Sequence, residues 1–269
     1  MWYVPTTLCG TPPSRNWYVP VHFHMVFLTQ WASMALLRMD NLRVRNRLVL
    51  ALALVLSLTM LAGPASATSV TRYDVEFAFD ALGLPTGAVN GSWDEKTKRG
   101  ICAWRELNGL PVSRLLPTDA ERDLIVAQTK LPLPSKFKPG ISINRQCQIL
   151  YWVTINKTTG VKSLRGTFPV STGQPGYDTS AGTFKIYREI PTWHESTLYE
   201  DAWMYRPKYF RGPAALHGSA NDSLVKPYPA SHGCVRMLHK HIDALWAAKV
   251  SINTPVYVYG TWTDPIRYS

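Results

Sequence analysis

Apolar residues recur at helical spacing between residues 75 and 128. In the middle of this region Ile101, Trp104 and Leu107 stand three positions apart, and they therefore share one face of a helix. The segment VEFAFDALGL comes before it, separated by the glycine-rich break PTGAVNG. The pattern predicts several helices that pack their apolar faces together.

The ends of these helices carry start and stop signals. Ser92, with Glu95 three positions later, predicts a capping box for the central helix, and Gly109 predicts its end. A third helix is expected from Asp119 to Thr129. We therefore expect residues 68–130 to form a small three-helix domain. The third helix would close its core with Leu124, Val126 and Ala127.

The apolar period changes from helical to alternating at Cys147. ILYWVTI and VKSLRGTFPV, on either side of the turn NKTTG, predict a β-hairpin, and four later segments predict further strands. One helix follows in HKHIDALWAAK, and we expect residues 131–146, rich in Pro and Lys, to form a linker. The fold class is thus α+β, with a mostly β second domain at 147–269. The helix face would hold Ile242, Leu245, Trp246 and Lys249.

Residues 39–67 have the order of a secretory signal peptide. Three Arg at alternating positions precede an uncharged apolar run, a Gly-Pro pair and the sequence ASA that ends at Ala67. We expect cleavage there and a secreted or envelope location, because the run is short for a membrane span of about 20 residues. An uncleaved anchor is the alternative. We interpret residues 1–38 as an extension upstream of a natural start at Met34 or Met39.

The composition is that of a folded, basic protein, with 46% hydrophobic and 17% charged residues. The formal net charge is +11, and because the first 67 residues hold five Arg and one Asp, the remainder carries +7. Such a surplus suits an anionic surface such as a cell wall. No basic run or nucleic-acid signature is present in the sequence, so no nucleic-acid partner is expected.

Three cysteines remain after the signal peptide, namely Cys102, Cys147 and Cys234. In an oxidising compartment two can pair and one stays free. The economical interpretation pairs Cys102 with Cys147 and leaves Cys234 as a thiol; the alternative is that all three are reduced.

The segment ALGLPTGAVNGSWDEKTKRGICAWRELNGL resembles the peptidoglycan-binding-like domain, a small three-helix module. The features that carry the resemblance are the G-x-V-(D/N)-G turn, a Thr at the start of the next helix and an aromatic residue inside it. The resemblance implies a module that targets the cell wall. The alternative is a spacer whose groove binds nothing.

Four segments of the second domain resemble the L,D-transpeptidase catalytic domain of the YkuD family: VSTG, SAGTFKI, LHGS and SHGCVRM. The resemblance implies that Cys234 is the nucleophile and His217 its base, with the imidazole oriented by a backbone carbonyl or hydroxyl of Gly218 and Ser219. An ordinary thiol is only a few per cent ionised at neutral pH, and histidine is the side chain best matched to activating it. We therefore expect His217 to hold Cys234 as a thiolate.

The residues around Cys234 have separate expected tasks. Gly233 allows an oxyanion to approach backbone N–H groups, including that of Cys234, without meeting a Cβ atom. Ser231 is expected to anchor the turn through a local hydrogen bond. His232 is too close in sequence to act as the base, and we expect it to line the pocket and position the substrate.

Substrate contacts are expected from Gly218, Ser219, Tyr205 and Arg236. Arg236 could pair with a carboxylate of the substrate or with a nearby acidic residue. Two further aromatic residues, Trp203 and Tyr209, could form a cleft wall with Tyr205, although alternating aromatics on strands more often pack against a sheet face.

The resemblance implies an acyl transfer on peptidoglycan stem peptides that needs no cofactor. Cys234 would attack a tetrapeptide stem, release D-alanine, and pass the acyl group to an amine of a neighbouring stem. Carbapenem-type β-lactams would acylate the same thiol. Water as acceptor would give an L,D-carboxypeptidase, and a protein amine would give wall attachment of a partner.

Two other interpretations compete with acyl transfer. A non-catalytic wall-binding protein would keep SHGC for packing only. A zinc site could draw on His217, His232, Cys234, His239 and His241, but the spacing lacks the paired ligands typical of such sites, and we interpret His239 and His241 as surface residues.

Overall fold

A computed structural model describes residues 69–265, and the predictions for residues 1–38 and 39–67 lie outside that range. Three helices come first: α1 (Arg72–Ala81), α2 (Glu95–Leu107) and α3 (Asp119–Ala127). Within the described range, no helix has the length and apolar content needed to cross a bilayer.

The start of α2 differs from the expected capping box. Asp94 is the N-cap, and its carboxylate accepts hydrogen bonds from the amides of Lys96 and Thr97 at 2.8 Å. Ser92 lies two residues too early, where its carbonyl accepts a hydrogen bond from the Asp94 amide instead. An ionised carboxylate at this position also interacts favourably with the helix dipole, which explains the preference for Asp94.

The buried face of α3 is narrower than predicted. Ile125 is fully buried, whereas Leu124 and Val126 are 60% and 41% exposed. The helix has only nine residues and docks through one face, so a single apolar position reaches the core. In α2 the predicted face is confirmed, since Ile101, Trp104 and Leu107 are all buried.

A curled sheet forms the rest of the described chain. Its strand order is β4-β10-β1-β2-β3-β9-β8-β7-β5, with β6 paired to β7. Most neighbours are antiparallel, but β1–β10 and β8–β9 are parallel. The mostly β architecture of the second domain is confirmed. The strands are β1 (Gly140–Asn144), β2 (Ile149–Ile155), β3 (Lys162–Ser171), β4 (Gly182–Lys185), β5 (Arg188–Glu189), β6 (Trp193–Glu195), β7 (Trp203–Arg211), β8 (Ala214–Gly218), β9 (Val235–Met237) and β10 (Pro255–Tyr259).

Strand β1 occupies the second part of the expected linker at 131–146, which is therefore not a linker throughout. All five residues of β1 are buried, and the strand lies between β2 and β10. Its sequence, GISIN, is too short and too poor in apolar residues to show a period by itself. The strand is stabilised by its two neighbours, which the local sequence does not reveal.

The helices and the sheet share one apolar core. Phe79, Trp104 and Ile125 from the helices belong to the same buried cluster as Ile149 and Tyr151 of β2. Because this core crosses from helix to sheet, independent folding of residues 68–130 stays a prediction.

A buried carboxylate links α2 to the sheet. Glu106 is 1% exposed, and its Oε2 atom accepts hydrogen bonds from Asn144 of β1 at 2.7 Å and from the Tyr151 hydroxyl at 2.8 Å. The Lys136 ammonium lies 3.1 Å from Oε1. A buried charge that is paired and hydrogen-bonded in this way is costly to disrupt from either side.

The other face of the sheet is covered by the helix α4 (His239–Ala247). Ile242 and Leu245 are buried there, as predicted, and Trp246 packs at the edge of the same cluster. Lys249 was expected on this helix face, but α4 ends before it and Lys249 has a positive φ of 56°.

The predicted pairing of Cys102 with Cys147 is present as a disulfide whose Cα atoms lie 5.4 Å apart. Cys102 is in α2 and Cys147 lies in the turn between β1 and β2, so the bond joins the helices to the sheet. Among the described cysteines, Cys234 is the free one.

Replacing both Cys102 and Cys147 with alanine is expected to lower the free energy of unfolding by about 2–4 kcal/mol, because the unfolded chain loses a cross-link between residues 45 positions apart. Urea unfolding under non-reducing conditions measures the effect. Adding reductant to the wild type should reproduce it, and an unchanged midpoint in the double variant would contradict the expectation.

Candidate active site

The turn that carries Cys234 leads directly into β9, which lies beside β8. The strands are parallel, with Leu216 paired to Val235 and His217 paired to Arg236. Leu216 and Val235 point into the buried core. Because side chains alternate along a strand, Cys234, His217 and Arg236 share the opposite face.

A cavity of about 680 Å³ opens over this face. Gly218 and Tyr205 were predicted as site residues but do not line it. The predicted residues that do line it are His217, Ser219, Ser231, His232, Gly233, Cys234 and Arg236.

The imidazole of His217 is fixed in one orientation and is almost fully buried, with 6% exposed. Its Nδ1 atom lies 2.7 Å from the carbonyl oxygen of Gly218. A carbonyl only accepts, so Nδ1 carries the proton in the neutral ring and Nε2 keeps a lone pair. Burial lowers the pKa of His217 to about 4, with Arg236 acting in the same direction and the Gly218 contact against it. The ring is therefore a neutral base at physiological pH.

The thiol of Cys234 is half-buried, and its Sγ atom lies 3.6 Å from the carbonyl oxygen of Pro213. Burial raises the pKa of Cys234, and the Ala215 backbone amide and Arg236 only partly oppose this. These directions do not support the expected thiolate at rest. Desolvation disfavours the charged form of both Cys234 and His217, so the structure favours a neutral thiol and a neutral imidazole at the same cavity.

The turn before Cys234 is held by local hydrogen bonds. Ser231 Oγ donates to the carbonyl of Cys234 at 2.6 Å and accepts from the amide of Gly233 at 3.2 Å. Gly233 has a φ of +107°, a backbone conformation that residues with a Cβ atom rarely adopt. The glycine is thus required by the turn itself, besides any part it plays in admitting an oxyanion.

Thr179 is a functional candidate that the sequence analysis missed. It is 1% exposed, and its hydroxyl accepts from the Gly173 amide at 2.9 Å and lies 2.9 Å from the carbonyl oxygen of Gly233, to which it donates. It therefore ties the end of β3 to the nucleophile turn. The only available signal was its position just before SAGTFKI.

Replacing Thr179 with valine is expected to lower kcat/KM at least about tenfold, since two buried backbone groups lose their partner and the Cys234 turn loosens. Thr179→Ser keeps the hydroxyl and should restore most of the activity. Steady-state kinetics on the stem-peptide substrate that the sequence resemblance implies would measure both, and equal loss in the two variants would contradict a positioning role for the hydroxyl.

Tyr205 lies outside the cavity. Its ring packs 5.0 Å from that of Trp193 and 4.7 Å from that of His239, measured between centroids. The structure therefore does not place Tyr205 where a substrate in the cavity would contact it. Gly218 is also outside, but its carbonyl contacts His217 as described above.

An irregularity in β7 explains this placement. Arg206 has a positive φ of 51°, and the pairing of β7 with β8 shifts between Tyr205 and Lys208. Such an irregularity changes the phase of the side-chain alternation. As a result, Met204 and Tyr209, which are five positions apart, both line the cavity, and Tyr205 faces away from it. Trp203 borders the cavity at the start of β7.

His232 is exposed at the mouth of the cavity, where it stacks on Tyr199 with centroids 4.8 Å apart. Tyr177 meets the same ring edge-on at 4.8 Å. These aromatic rings form one wall of the cavity, next to the nucleophile turn.

His239 and His241 are half-buried, unlike the surface residues that we expected. The Nε2 atom of His239 lies 2.7 Å from the carbonyl oxygen of Ser219, and His241 stacks on Phe168 at 4.7 Å. Within residues 69–265, no group of three or more His, Cys, Asp or Glu side chains is arranged to hold a metal ion.

Comparison with protein families identifies the domain that carries this site. Residues 139–258 match the model of YkuD, the L,D-transpeptidase catalytic domain. The match confirms the predicted YkuD domain over these residues, and it begins one residue before β1. A comparison with curated proteins found no match.

Several solved structures are similar to the chain. An L,D-transpeptidase from Xylanimonas cellulosilytica is 26% identical with a TM-score of 0.48, over 70% of this chain and 92% of that one. One from Stackebrandtia nassauensis is 20% identical with a TM-score of 0.44, over 71% and 91%. An LD transpeptidase solved in complex with imipenem is 16% identical with a TM-score of 0.35, over 44% and 57%.

Proposed function

We propose that the protein is an exported cysteine L,D-transpeptidase that cross-links peptidoglycan stem peptides. The observation that carries the proposal is the placement of Cys234 and His217 on one face of β8 and β9, at one cavity, with Nδ1 of His217 held by a carbonyl so that Nε2 is left to accept a proton. A thiol, a neutral base and an open cavity are the parts that acyl transfer through a cysteine requires.

The proposed reaction has two halves. His217 takes the thiol proton while Cys234 Sγ bonds to the carbonyl carbon of the tetrapeptide stem before its terminal D-alanine. The tetrahedral intermediate collapses, the C–N bond breaks, and the D-alanine amine leaves with the proton from His217, giving a thioester. An amine of a second stem then attacks the thioester, His217 accepts its proton, and Cys234 leaves as a thiol when that proton returns.

The surroundings of Arg236 support a role for this residue in binding the substrate. Its Nη1 atom donates to the carbonyl of Ala230 at 2.9 Å, and no carboxylate lies within 4.0 Å of it in the described part of the chain. The alternative of a nearby acidic partner therefore lacks a candidate there. We assign the guanidinium to a stem carboxylate, since burial of a cation favours an anionic partner.

The deciding experiment uses the purified protein with a disaccharide-tetrapeptide, with and without a second stem as amine acceptor. Mass spectrometry should find free D-alanine and a cross-linked dimer. Release of D-alanine without a dimer in the presence of acceptor would indicate an L,D-carboxypeptidase instead. No consumption of the substrate would contradict the proposal, and a carbapenem mass adduct on Cys234 would separate a poor substrate from an inert site.

Export through the signal at residues 39–67 belongs to the same proposal. The Cys102–Cys147 disulfide supports it, because disulfides persist mainly in oxidising compartments, and the basic surplus suits an anionic wall. N-terminal sequencing of the protein from the extracellular fraction should start at Thr68. Peptides from before Met34 would contradict the proposed start.

A further inference from the structure

A second cavity, of about 900 Å³, lies between the helices and the segment that follows β8. It is lined on one side by the end of α1 and the start of α2, and on the other by residues 222–223, residues 225–228 and the start of α4. It does not share lining residues with the cavity of Cys234. The proposed acyl transfer at Cys234 does not use this second cavity.

Three buried polar atoms in the walls of this cavity have no hydrogen-bond partner among the described residues: Thr86 Oγ1, Arg99 Nε and His241 Nδ1. Thr86 and Arg99 are 2% and 4% exposed. Buried polar atoms are nearly always paired in folded proteins, so three orphans around one cavity indicate an occupant.

The buried positive charge of Arg99 has no carboxylate partner in the described part of the chain. Its guanidinium donates to the carbonyl of Lys226 at 2.9 Å, and no carboxylate in the described range lies within 4.0 Å of it. Burial lowers the pKa of Arg99 to about 9, the neighbouring Arg114 acts in the same direction, and Asp94 only partly opposes them. A buried guanidinium without an anion normally acquires one.

Three of the four carboxylates that line this cavity are engaged elsewhere. Asp94 accepts two backbone amides at the N-cap of α2, and Glu95 pairs with Lys98 and Arg114. Asp222 accepts from the His239 amide at 2.8 Å. Asp80 also lines the cavity, at the end of α1.

The lysines of this cavity also lack a carboxylate partner among the described residues. Three lysines line the same cavity, and no carboxylate lies within 4.0 Å of their ammonium groups among residues 69–265. They are Lys96, Lys226 and Lys240.

We propose that this cavity binds an oxyanion, a carboxylate or phosphate group of a ligand, with Arg99 as its central contact. The three orphan atoms can all donate: Nε–H of Arg99, the Thr86 hydroxyl, and Nδ1–H of a neutral His241. A carboxylate or phosphate accepts several such bonds at once, which a water molecule or a neutral sugar hydroxyl does less well. The inference is independent of the proposed acyl transfer.

The test titrates the purified protein with sodium phosphate and, separately, with sodium succinate, at ionic strength held constant with sodium chloride. The readouts are the thermal midpoint and the imidazole NMR signals of His241. At least one anion should raise the midpoint and shift the His241 signals in a saturable way. The anion that binds with the higher affinity identifies the ligand group as phosphate or carboxylate. No saturable change with either anion would overturn the proposal.

The variant Arg99→Met should bind the anion at least about tenfold more weakly. In chloride alone it should be no less stable than the wild type, because an unpaired buried charge is removed. The matched control is Arg165→Gln, which removes one charge from an exposed position on β3, and it should bind as the wild type does. If Arg99→Met does not fold, the double variant Lys226→Gln, Lys240→Gln at the rim decides, and unchanged affinity in either variant overturns the site.

Discussion

Replacing Cys234 with alanine is expected to lower kcat/KM for stem-peptide transfer by at least about 10³-fold, to the background rate. In the proposed reaction the sulfur forms the acyl-enzyme, and no other cysteine in the described chain is free to replace it. Cross-linked dimer and free D-alanine, both quantified by mass spectrometry, should disappear together. The carbapenem adduct should also be absent from the variant.

The controls for this variant are its fold and the predicted binding to insoluble peptidoglycan. Cys234 is half-buried beside a cavity, so its loss should leave the thermal midpoint within a few degrees of the wild-type value. Binding to insoluble peptidoglycan should also persist. If cross-linking continued unchanged in Cys234→Ala, Cys234 would not be the nucleophile and the proposed cysteine mechanism would be wrong.

The second large effect is expected at His217. Replacement by asparagine should lower kcat/KM by about 10²–10⁴-fold, because the thiol loses its proton acceptor. In the wild type the acid limb of the kcat/KM profile should lie near the His217 pKa of about 4, well below the ordinary value of 6.5. The ring then works as a base throughout the neutral range. An acid limb near 6.5 would show that His217 is hydrated in solution.

The lowered pKa of His217 also makes stability depend on pH. The unfolded chain binds a proton near pH 6.5 and the folded chain only near pH 4. Stability therefore falls as the pH drops through this window, by up to about 3 kcal/mol for this group. In His217→Asn that part of the loss should be missing, and urea midpoints at pH 7 and pH 4 measure the difference. Equal pH dependence in both proteins would mean that other groups cause the decline.

The residues that meet at the candidate site were largely predictable because they lie in short local segments of the sequence. SHGC and LHG hold the thiol, the glycine and the imidazole, and each lies beside one end of a short strand. What the sequence could not provide was the solvent exposure of Cys234 and His217. The expected thiolate rested on proximity alone, whereas burial of both groups shifts each pKa toward the neutral form.

Other features depend on neighbours that are distant in the chain. Strand β1 exists because β2 and β10 flank it, although β10 lies more than 100 residues later. The direction of Tyr205 depends on one positive φ angle at Arg206, which a non-glycine residue does not signal. Thr179 acts through contacts with Gly173 and Gly233, and only the folded turn brings these together.

The disulfide between α2 and the turn before β2 has a practical consequence for work on the isolated YkuD domain. A recombinant fragment that starts at residue 139 would include the whole family match but would omit Cys102. Cys147 would then be a second free thiol in addition to Cys234. The apolar surface that Trp104 and Phe79 cover in the full protein would be exposed to solvent. Such a fragment should be prone to aggregation and to wrong thiol pairing, so inhibitor screening is better done on protein that keeps residues 69–138.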